Sequence, residues 1–344
     1  MMNENVNPIV FEYKKRRVRE ISVIGILTVI TILLGIFLLI YGEKFYSIST
    51  VTKVLMGKNI QGATFAIMNV RLPKVLAGLL AGMAFGMAGN TFQTLFRNSL
   101  ASPDIMGVTS GASVAAVFGI LVLRLSGNVV SIMAVISGAL VAGSIFLLSN
   151  GKGFSGGRMI LIGIGMQAML NAVISFLLLK ASQYDVASAL RWLNGSLNGV
   201  RLESIPRLGV IVVLFGSIIL LLNRQLKILQ LGEELSITLG IRTNIVRLCL
   251  ILSAVFLVAF ATSVTGPIAS VAFLAGPISR KITKTGESNT ISAGLVGAIL
   301  VLAGEIVGQN VLATRYPVGV VTGIIGAPYL LFLLISLKKE GKYE

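Results

Sequence analysis

Apolar runs long enough to cross a bilayer recur along the whole chain, and short polar or basic segments separate them. A helix needs about 20 mostly apolar residues to cross a hydrocarbon core that is about 30 Å thick. The pattern therefore predicts an all-α polytopic membrane protein with about ten transmembrane helices. The predicted spans are 21–41, a segment from 71 to the turn at 98–104, 105–124, 128–149, 159–180, 206–223, 247–265, 265–282, 290–309 and 317–337.

One of these spans is interrupted. Pro267 and Pro277 leave too few residues in 265–282 for a regular crossing. A short or broken helix that is buried against its neighbours is the expected solution, because non-helical backbone is not tolerated against lipid.

Composition supports a single membrane domain. Of the 344 residues, 55% are hydrophobic and 12% are charged, whereas soluble domains carry about 25% charged residues. No segment is polar enough to form a separate soluble domain. The sequence predicts one transmembrane domain at 21–337 between cytoplasmic tails at 1–20 and 338–344.

The net charge of +16 lies mostly between the apolar runs and at the termini. Positive loops stay in the cytoplasm, which predicts that both termini and the basic loop at 224–246 are cytoplasmic. A membrane surface explains this charge better than nucleic acid does. With this orientation, spans two to five and seven to ten run in opposite senses, which gives the fold an inverted-repeat character.

Several kinds of site are excluded by residue type. The chain has one cysteine, Cys249, and no histidine, so an internal disulfide is impossible and no zinc or haem centre is predicted. The loop FSGGR (154–158) superficially resembles the signature of ATP-binding cassettes, but the chain has no G-x-x-x-x-G-K-[ST] phosphate loop. No nucleotide site and no catalytic residue are predicted.

The segment LGEELSITLGI (231–241) interrupts the apolar second half. Two acids at its start suit a helix N-terminus, Leu235 and Leu239 lie four residues apart on one face, and Gly240 suits a helix end. The pattern predicts a short amphipathic helix in a cytoplasmic loop. From the pattern alone, the segment is equally well a solvated connector or a contact surface.

Two stripes repeat every fourth residue within predicted spans. The first consists of Gly78, Gly82 and Gly86, which allow another helix to approach closely. In the second, Gln167, Asn171 and Ser175 place polar groups at membrane depth. Such groups either join helices or line a water-filled path, and the sequence leaves both readings open.

Six blocks of the chain carry a family resemblance, in the family order from about residue 60 to 337. They are RLPKVLAGLLAG, QTLFRNSLASPDIMGVTSGAS, WLNGSL, LGEELSITLGI, GPIASVAFLAGPISRKI and YPVGVVTGIIGAPYLLFLL. The chain resembles the FecCD-type permease subunits of binding-protein-dependent ABC importers for iron–siderophore complexes, haem and cobalamin. Three positions depart from the common pattern, namely Ser99, Ile278 and Glu305.

The resemblance implies a type II ABC importer permease in the cytoplasmic (inner) membrane of a bacterium. It implies two ATPase subunits that bind ATP and Mg, a second permease copy or paralogue, and an extracytoplasmic substrate-binding protein. This subunit would itself bind no cofactor or nucleic acid, and its other surroundings are the lipid bilayer. The most similar branch is the one for ferric siderophores.

The resemblance also implies roles for particular residues. The loop 224–246 is the coupling loop, and the ATPase contacts in it are Gly232, Glu233, Glu234, Leu235, Leu239 and Gly240. Arg71 and Lys74 match the basic motif that docks the binding protein. Gln167, Asn171 and Ser175 would line the translocation pathway, and Ser155 and Gly156 would lie at the inner gate.

Other functions remain as alternatives. Within the family, the cargo would be haem or cobalamin. An ion-coupled secondary transporter would need an acid in the membrane, and Glu305 is the only candidate in a late span. An intramembrane enzyme ranks last, because there is no histidine for a general base or a metal centre.

Overall fold

A computed structural model describes residues 8–149, 156–284 and 289–340, and this part of the chain consists of helices and loops without strands. Short π-helical turns occur at Ala66–Arg71 and Val307–Val311, and 3-10 turns at Pro103–Met106 and Leu202–Ser204. The α-helices are α1 (Pro8–Ile40), α2 (Ile48–Leu55), α3 (Ala63–Phe65), α4 (Leu72–Leu95), α5 (Val108–Leu121), α6 (Asn128–Ser149), α7 (Gly156–Lys180), α8 (Gln183–Leu193), α9 (Ile205–Leu221), α10 (Asn223–Leu229), α11 (Glu233–Thr238), α12 (Thr243–Thr265), α13 (Val271–Thr283), α14 (Thr290–Ile306) and α15 (Val318–Glu340).

Seven helical segments in the described ranges are long and apolar enough to cross a membrane. They are Lys14–Ile40, Ala63–Leu95, Asn128–Ser149, Gly156–Lys180, Leu202–Leu221, Thr243–Thr265 and Thr290–Val311. Shorter apolar helices occur at Val108–Leu121 and Val318–Phe332. The all-helical membrane fold is therefore confirmed. The count of ten spans stays a prediction, because it requires these two shorter helices and α13 to cross as well.

The interrupted span has the form that its prolines predict. Helix α13 has 13 residues with Pro277 inside it, which is shorter than the ~20 residues of a regular crossing. It packs against α4 and α14, and most of its residues are buried.

Helix α4 lies at the centre of the bundle and contacts α9, α12, α13 and α14. Its glycine stripe lies against α14, because a Cβ atom on Gly82 would come within 2.5 Å of the Cα of Ala298. A Cβ on Gly86 would likewise overlap the backbone of Ala293. The stripe thus serves close helix packing, as the sequence predicts.

The second span begins earlier than the sequence predicts. The helical segment starts at Ala63, whereas the sequence predicts a second span from residue 71. It passes through the π turn Ala66–Arg71. In that turn the Leu72 N–H donates to the carbonyl of Ile67, five residues back. The wide turn directly precedes Pro73, whose ring would crowd a regular α-helical turn. This change of period hides the helix start from a 3.6-residue pattern. Similarly, the N-terminal helix begins at Pro8, inside the predicted tail.

Candidate functional site

The predicted spans have two ends, which we call inner and outer according to the predicted sidedness. At the inner end, α10, α11 and the start of α12 form the loop at 224–246. Helix α11 begins after Gly232, whose φ of 126° is unfavourable for any other residue, and ends before Gly240, whose φ is 79°. Glu233 and Glu234 occupy its first turn, where negative charge is favoured.

The loop exposes a compact set of large apolar side chains. Leu235 and Leu239, which the sequence pattern singles out, are 49% and 57% exposed. Leu231 and Ile237 are also exposed and were missed. Ile237 does not fall on the four-residue spacing, and Leu231, which does, lies before the start of the helix. Apolar side chains that a protein exposes in one place mark a contact surface. We call these four residues the α11 apolar face.

The backbone beneath this face is held by side-chain contacts that the sequence did not predict. The Ser236 side chain is fully buried, and its hydroxyl donates to the carbonyl of Ile228 at 3.0 Å. Glu233 and Arg247 form an ion pair with an N–O distance of 3.2 Å. Arg97, just beyond α4, donates to the carbonyl of Leu229 at 2.8 Å. The segment is thereby fixed to both α4 and α12.

At the outer end, Arg71 is not an exposed cation. The residue is 9% exposed, and its guanidinium donates to the carbonyls of Leu39, Ile40 and Lys44. It also lies 4.8 Å from the ring centroid of Tyr46. In this structure Arg71 holds the end of α1, and its predicted docking role stays a prediction.

Lys74 also has an internal partner. Its ammonium lies 3.5 Å from Oε1 of Glu305, and the Glu305 side chain is 1% exposed. The sequence singled out both residues but gave no reason to pair them, because they are far apart along the chain. The pair joins α4 to α14 next to the two π turns.

Both residues line a cavity of about 1390 Å³ at the outer end. Five cationic side chains line it against two acidic ones, Glu43 and Glu305, which gives a net charge of +3. The cations are Lys44, Arg71, Lys74, Arg191 and Arg315. At the rim Arg315 donates to Glu43 at 2.6 Å, and this contact holds the pKa of Glu43 below its usual value. We call this space the basic cavity.

The predicted pathway residues share one face of α7. Gln167 is half-buried, whereas Asn171 and Ser175 are exposed on the surface of the single chain. Helix α7 is the least buried of the seven long spans. An exposed polar face at membrane depth needs a partner or water. The exposed face of α7 therefore suits a path between two subunits, and its pathway role stays a prediction.

The predicted inner gate is only partly described. Ser155 lies outside the described residues, and Gly156 is the first residue of α7. A Cβ on Gly156 would lie 2.9 Å from Cδ1 of Phe96, so this end of α7 touches the inner end of α4. Over the described ranges, no group of three His, Cys, Asp or Glu side chains is placed to hold a metal ion.

Comparisons with known proteins identify the family of this chain. The FecCD transport family matches residues 27–336. The chain is 36% identical over 307 residues, 89% of its length and 93% of the relative's, to the ferric enterobactin transport system permease protein FepG of Escherichia coli (strain K12). It is 32% identical over 323 residues to the Fe(3+)-citrate import system permease protein YfmE of Bacillus subtilis (strain 168), covering 93% of this chain and 96% of that one.

A solved structure supports the fold. An inward-facing metal-chelate type ABC transporter, described by its authors as a putative one, superposes with a TM-score of 0.81 at 24% identity, covering 92% of this chain and 99% of the other. The resemblance seen in the sequence is thereby confirmed, and family membership removes the support for a secondary transporter or an intramembrane enzyme. The chain belongs to the FecCD transport family.

Proposed function

We propose that this chain is the permease subunit of an ATP-driven ABC importer that carries a ferric complex of the siderophore class across the inner membrane of a bacterium. The family match over nearly the whole chain carries the proposal. FepG and YfmE are named for two different ferric complexes, which supports iron complexes as the cargo class without fixing the chelator. Haem and cobalamin remain the alternatives within the family.

The α11 apolar face is the proposed contact with an ABC ATPase. Exposed leucine and isoleucine side chains on an otherwise basic loop are unfavourable in water, and a hydrophobic groove on a partner would cover them. The anchoring of the segment by Arg97 and Arg247 would let a movement of the ATPase reach the helices α4 and α12. ATP and Mg would bind to two such partner subunits, and this chain would hold no cofactor.

The basic cavity is the proposed docking region for an extracytoplasmic substrate-binding protein. Its net charge of +3 suits acidic side chains on the partner. The exposed cations of this cavity are Lys44, Arg191 and Arg315. They add to Arg71 and Lys74, the two docking residues that the sequence predicts. Because Arg71 is buried and the Lys74 side chain is only 20% exposed, the exposed cations are the better candidates for first contact.

The face of α7 that bears Gln167, Asn171 and Ser175 is the proposed wall of the pathway. A second permease, either another copy or a paralogue, would face it across the path. Ser155 and Gly156 would then form part of the inner gate. Both chain termini would lie in the cytoplasm.

Uptake measurements test the proposal. A deletion strain that lacks this permease should lose uptake of one radiolabelled ferric siderophore from a panel that also includes haem and cobalamin. The chain should restore this uptake, and inactivation of the partner ATPase should abolish it. Uptake that continues without the ATPase but stops when the proton gradient collapses would contradict the proposal.

A further inference from the structure

A second cavity at the outer end has no place in the proposed function. It has a volume of about 800 Å³, within the range of small-molecule sites. It lies beside the turn between α5 and α6, the start of α9 and the end of α12. We call it the Arg124 cavity.

Three arginines from three separate segments line this cavity. Arg124 lies in the α5–α6 turn, Arg201 precedes the 3-10 turn, and Arg207 is in the first turn of α9. The only acidic lining residue is Asp185, so the net charge of the lining is three minus one, or +2. In the part of the chain that the structure describes, none of the three arginines forms an ion pair. Guanidinium groups from several segments that line one cavity suit a phosphate, which they bind with paired hydrogen bonds.

The rest of the wall is apolar and continues onto the outside of the bundle. Phe260 and Val135 lie inside, and Ile132 and Ile136 line the cavity while remaining more than half exposed. With Leu140, which is 68% exposed, these isoleucines form a stripe at four-residue spacing along α6. A stripe of this kind on a transmembrane helix suits an acyl chain.

We propose that the Arg124 cavity binds the headgroup of an anionic phospholipid, with its phosphate among the three arginines and an acyl chain along the α6 stripe. Cations placed next to an exposed apolar stripe match the two halves of such a lipid. An acidic side chain on a partner protein would use the cations and leave the stripe uncovered, so the lipid is favoured over a protein. The inference is independent of the cargo of the transporter.

The test uses the intact transporter complex, purified in detergent, and native mass spectrometry of retained phosphatidylglycerol. The double variant Arg201→Gln/Arg207→Gln should retain about tenfold less of this lipid than the unchanged complex. The charge-matched control Lys53→Gln/Lys58→Gln removes two exposed cations at the same end and should retain as much as the unchanged complex. Arg124→Gly should also lower retention, and because Arg124 has a φ of 53°, glycine relieves the backbone there.

Further arms separate the sources of the phosphate. The complex should retain less phosphatidylcholine than phosphatidylglycerol. Inorganic phosphate should compete only weakly with bound phosphatidylglycerol. The double variant Ile132→Gln/Ile136→Gln should also retain less phosphatidylglycerol. Equal retention of phosphatidylglycerol by the arginine variant and the control would overturn the proposal. So would full competition by inorganic phosphate, which would indicate a free-anion site. A loss of binding-protein association in the arginine variant with unchanged lipid retention would indicate a protein contact instead.

Discussion

The ammonium of Lys74 lies 3.5 Å from Oε1 of Glu305 and joins the central helix α4 to α14 at the outer end. The carboxylate is 1% exposed, so the pair is a buried contact between two helices. Removal of either charge would leave the other unpaired, and desolvation makes an unpaired buried ion unfavourable in free energy. This relationship makes the two residues a structural unit as well as part of the basic cavity.

Removal of one member of the pair should therefore destabilise the protein more than removal of both. We expect Lys74→Met to cost about 3 kcal/mol, because it leaves the Glu305 charge buried and unpaired. The double variant Lys74→Met/Glu305→Met should recover most of this loss. Thermal unfolding of the purified protein in detergent measures both. The exposed pair of Glu43 and Arg315 provides the control, and Arg315→Gln should change the midpoint little. Equal losses in the single and double Lys74 variants would show that the pair is not coupled.

The contact between α4 and α14 has no room for a side chain at Gly82. Gly82→Ala should destabilise the protein by about 1–3 kcal/mol, because the added methyl group forces apart two packed backbones. Gly143→Ala is a matched control in α6, where an added Cβ meets no atom within 4 Å. The control should be neutral or slightly stabilising, since alanine favours helix. A Gly82→Ala protein as stable as the Gly143→Ala protein would contradict the close packing.

The α11 apolar face gives a coupling prediction. Leu235→Asp and Leu239→Asp should leave the protein inserted and folded, because both side chains are exposed. Each should lower co-purification of the ATPase and uncouple ATP hydrolysis from transport. Thr238→Asp, an exposed position on the same helix, adds the same charge beside the face. Normal transport by the leucine variants, or an equal loss with Thr238→Asp, would remove the face from the ATPase contact.

Docking of the binding protein is tested best at the exposed cations. Charge reversal at Lys74 would place two acids together at a buried site and would confuse docking with stability. The double variant Lys44→Glu/Arg191→Glu should instead slow association with the binding protein and weaken its dependence on salt. Lys53→Glu/Lys58→Glu reverses two exposed charges outside the cavity and is the control. Stopped-flow association rates at low and high salt measure the effect. An association rate of the Lys44→Glu/Arg191→Glu variant equal to that of the unchanged protein would show that the cavity is not involved.

Asp104 gives a prediction for pH. Burial raises the pKa of its carboxyl above the ordinary value of 3.8, and a hydrogen bond from Thr109 at 2.8 Å opposes this only in part. The pKa of Asp104 is therefore higher in the folded state than in the unfolded state. The contribution of the protonated carboxyl to stability is complete below pH 3.8, and it is lost as the pH rises through the folded-state pKa. Asp104→Asn should therefore raise the unfolding midpoint at pH 8, and this gain should shrink towards pH 4. A gain that is the same at both pH values would contradict the shift.

The sequence predicted the fold well where the signal is local. Apolar runs, the proline-interrupted α13 and the glycine stripe depend on residues that are neighbours along the chain, and the structure agrees with all three. The start of the second span was wrong, because the π turn before Pro73 breaks the helical period. Contacts such as the hydrogen bond from Arg97 to the carbonyl of Leu229 were not predictable, because a contact between distant residues leaves no trace in one sequence. For the same reason Arg71 was expected to be exposed, although it holds the end of α1.

Helix α4 runs without interruption between the two predicted partner surfaces. Lys74, near its first residue, lines the basic cavity, and Arg97, just past its last, holds the carbonyl of Leu229 beside α11. At 1.5 Å per residue its 24 residues span about 36 Å. A tilt of about 5° imposed at one end would displace the other by about 3 Å, comparable to the width of a methyl group or a hydrogen-bond length. With the proposed partners bound at both ends, a helix packed this closely against α14 would carry a displacement from the docking side of the membrane to the ATPase side.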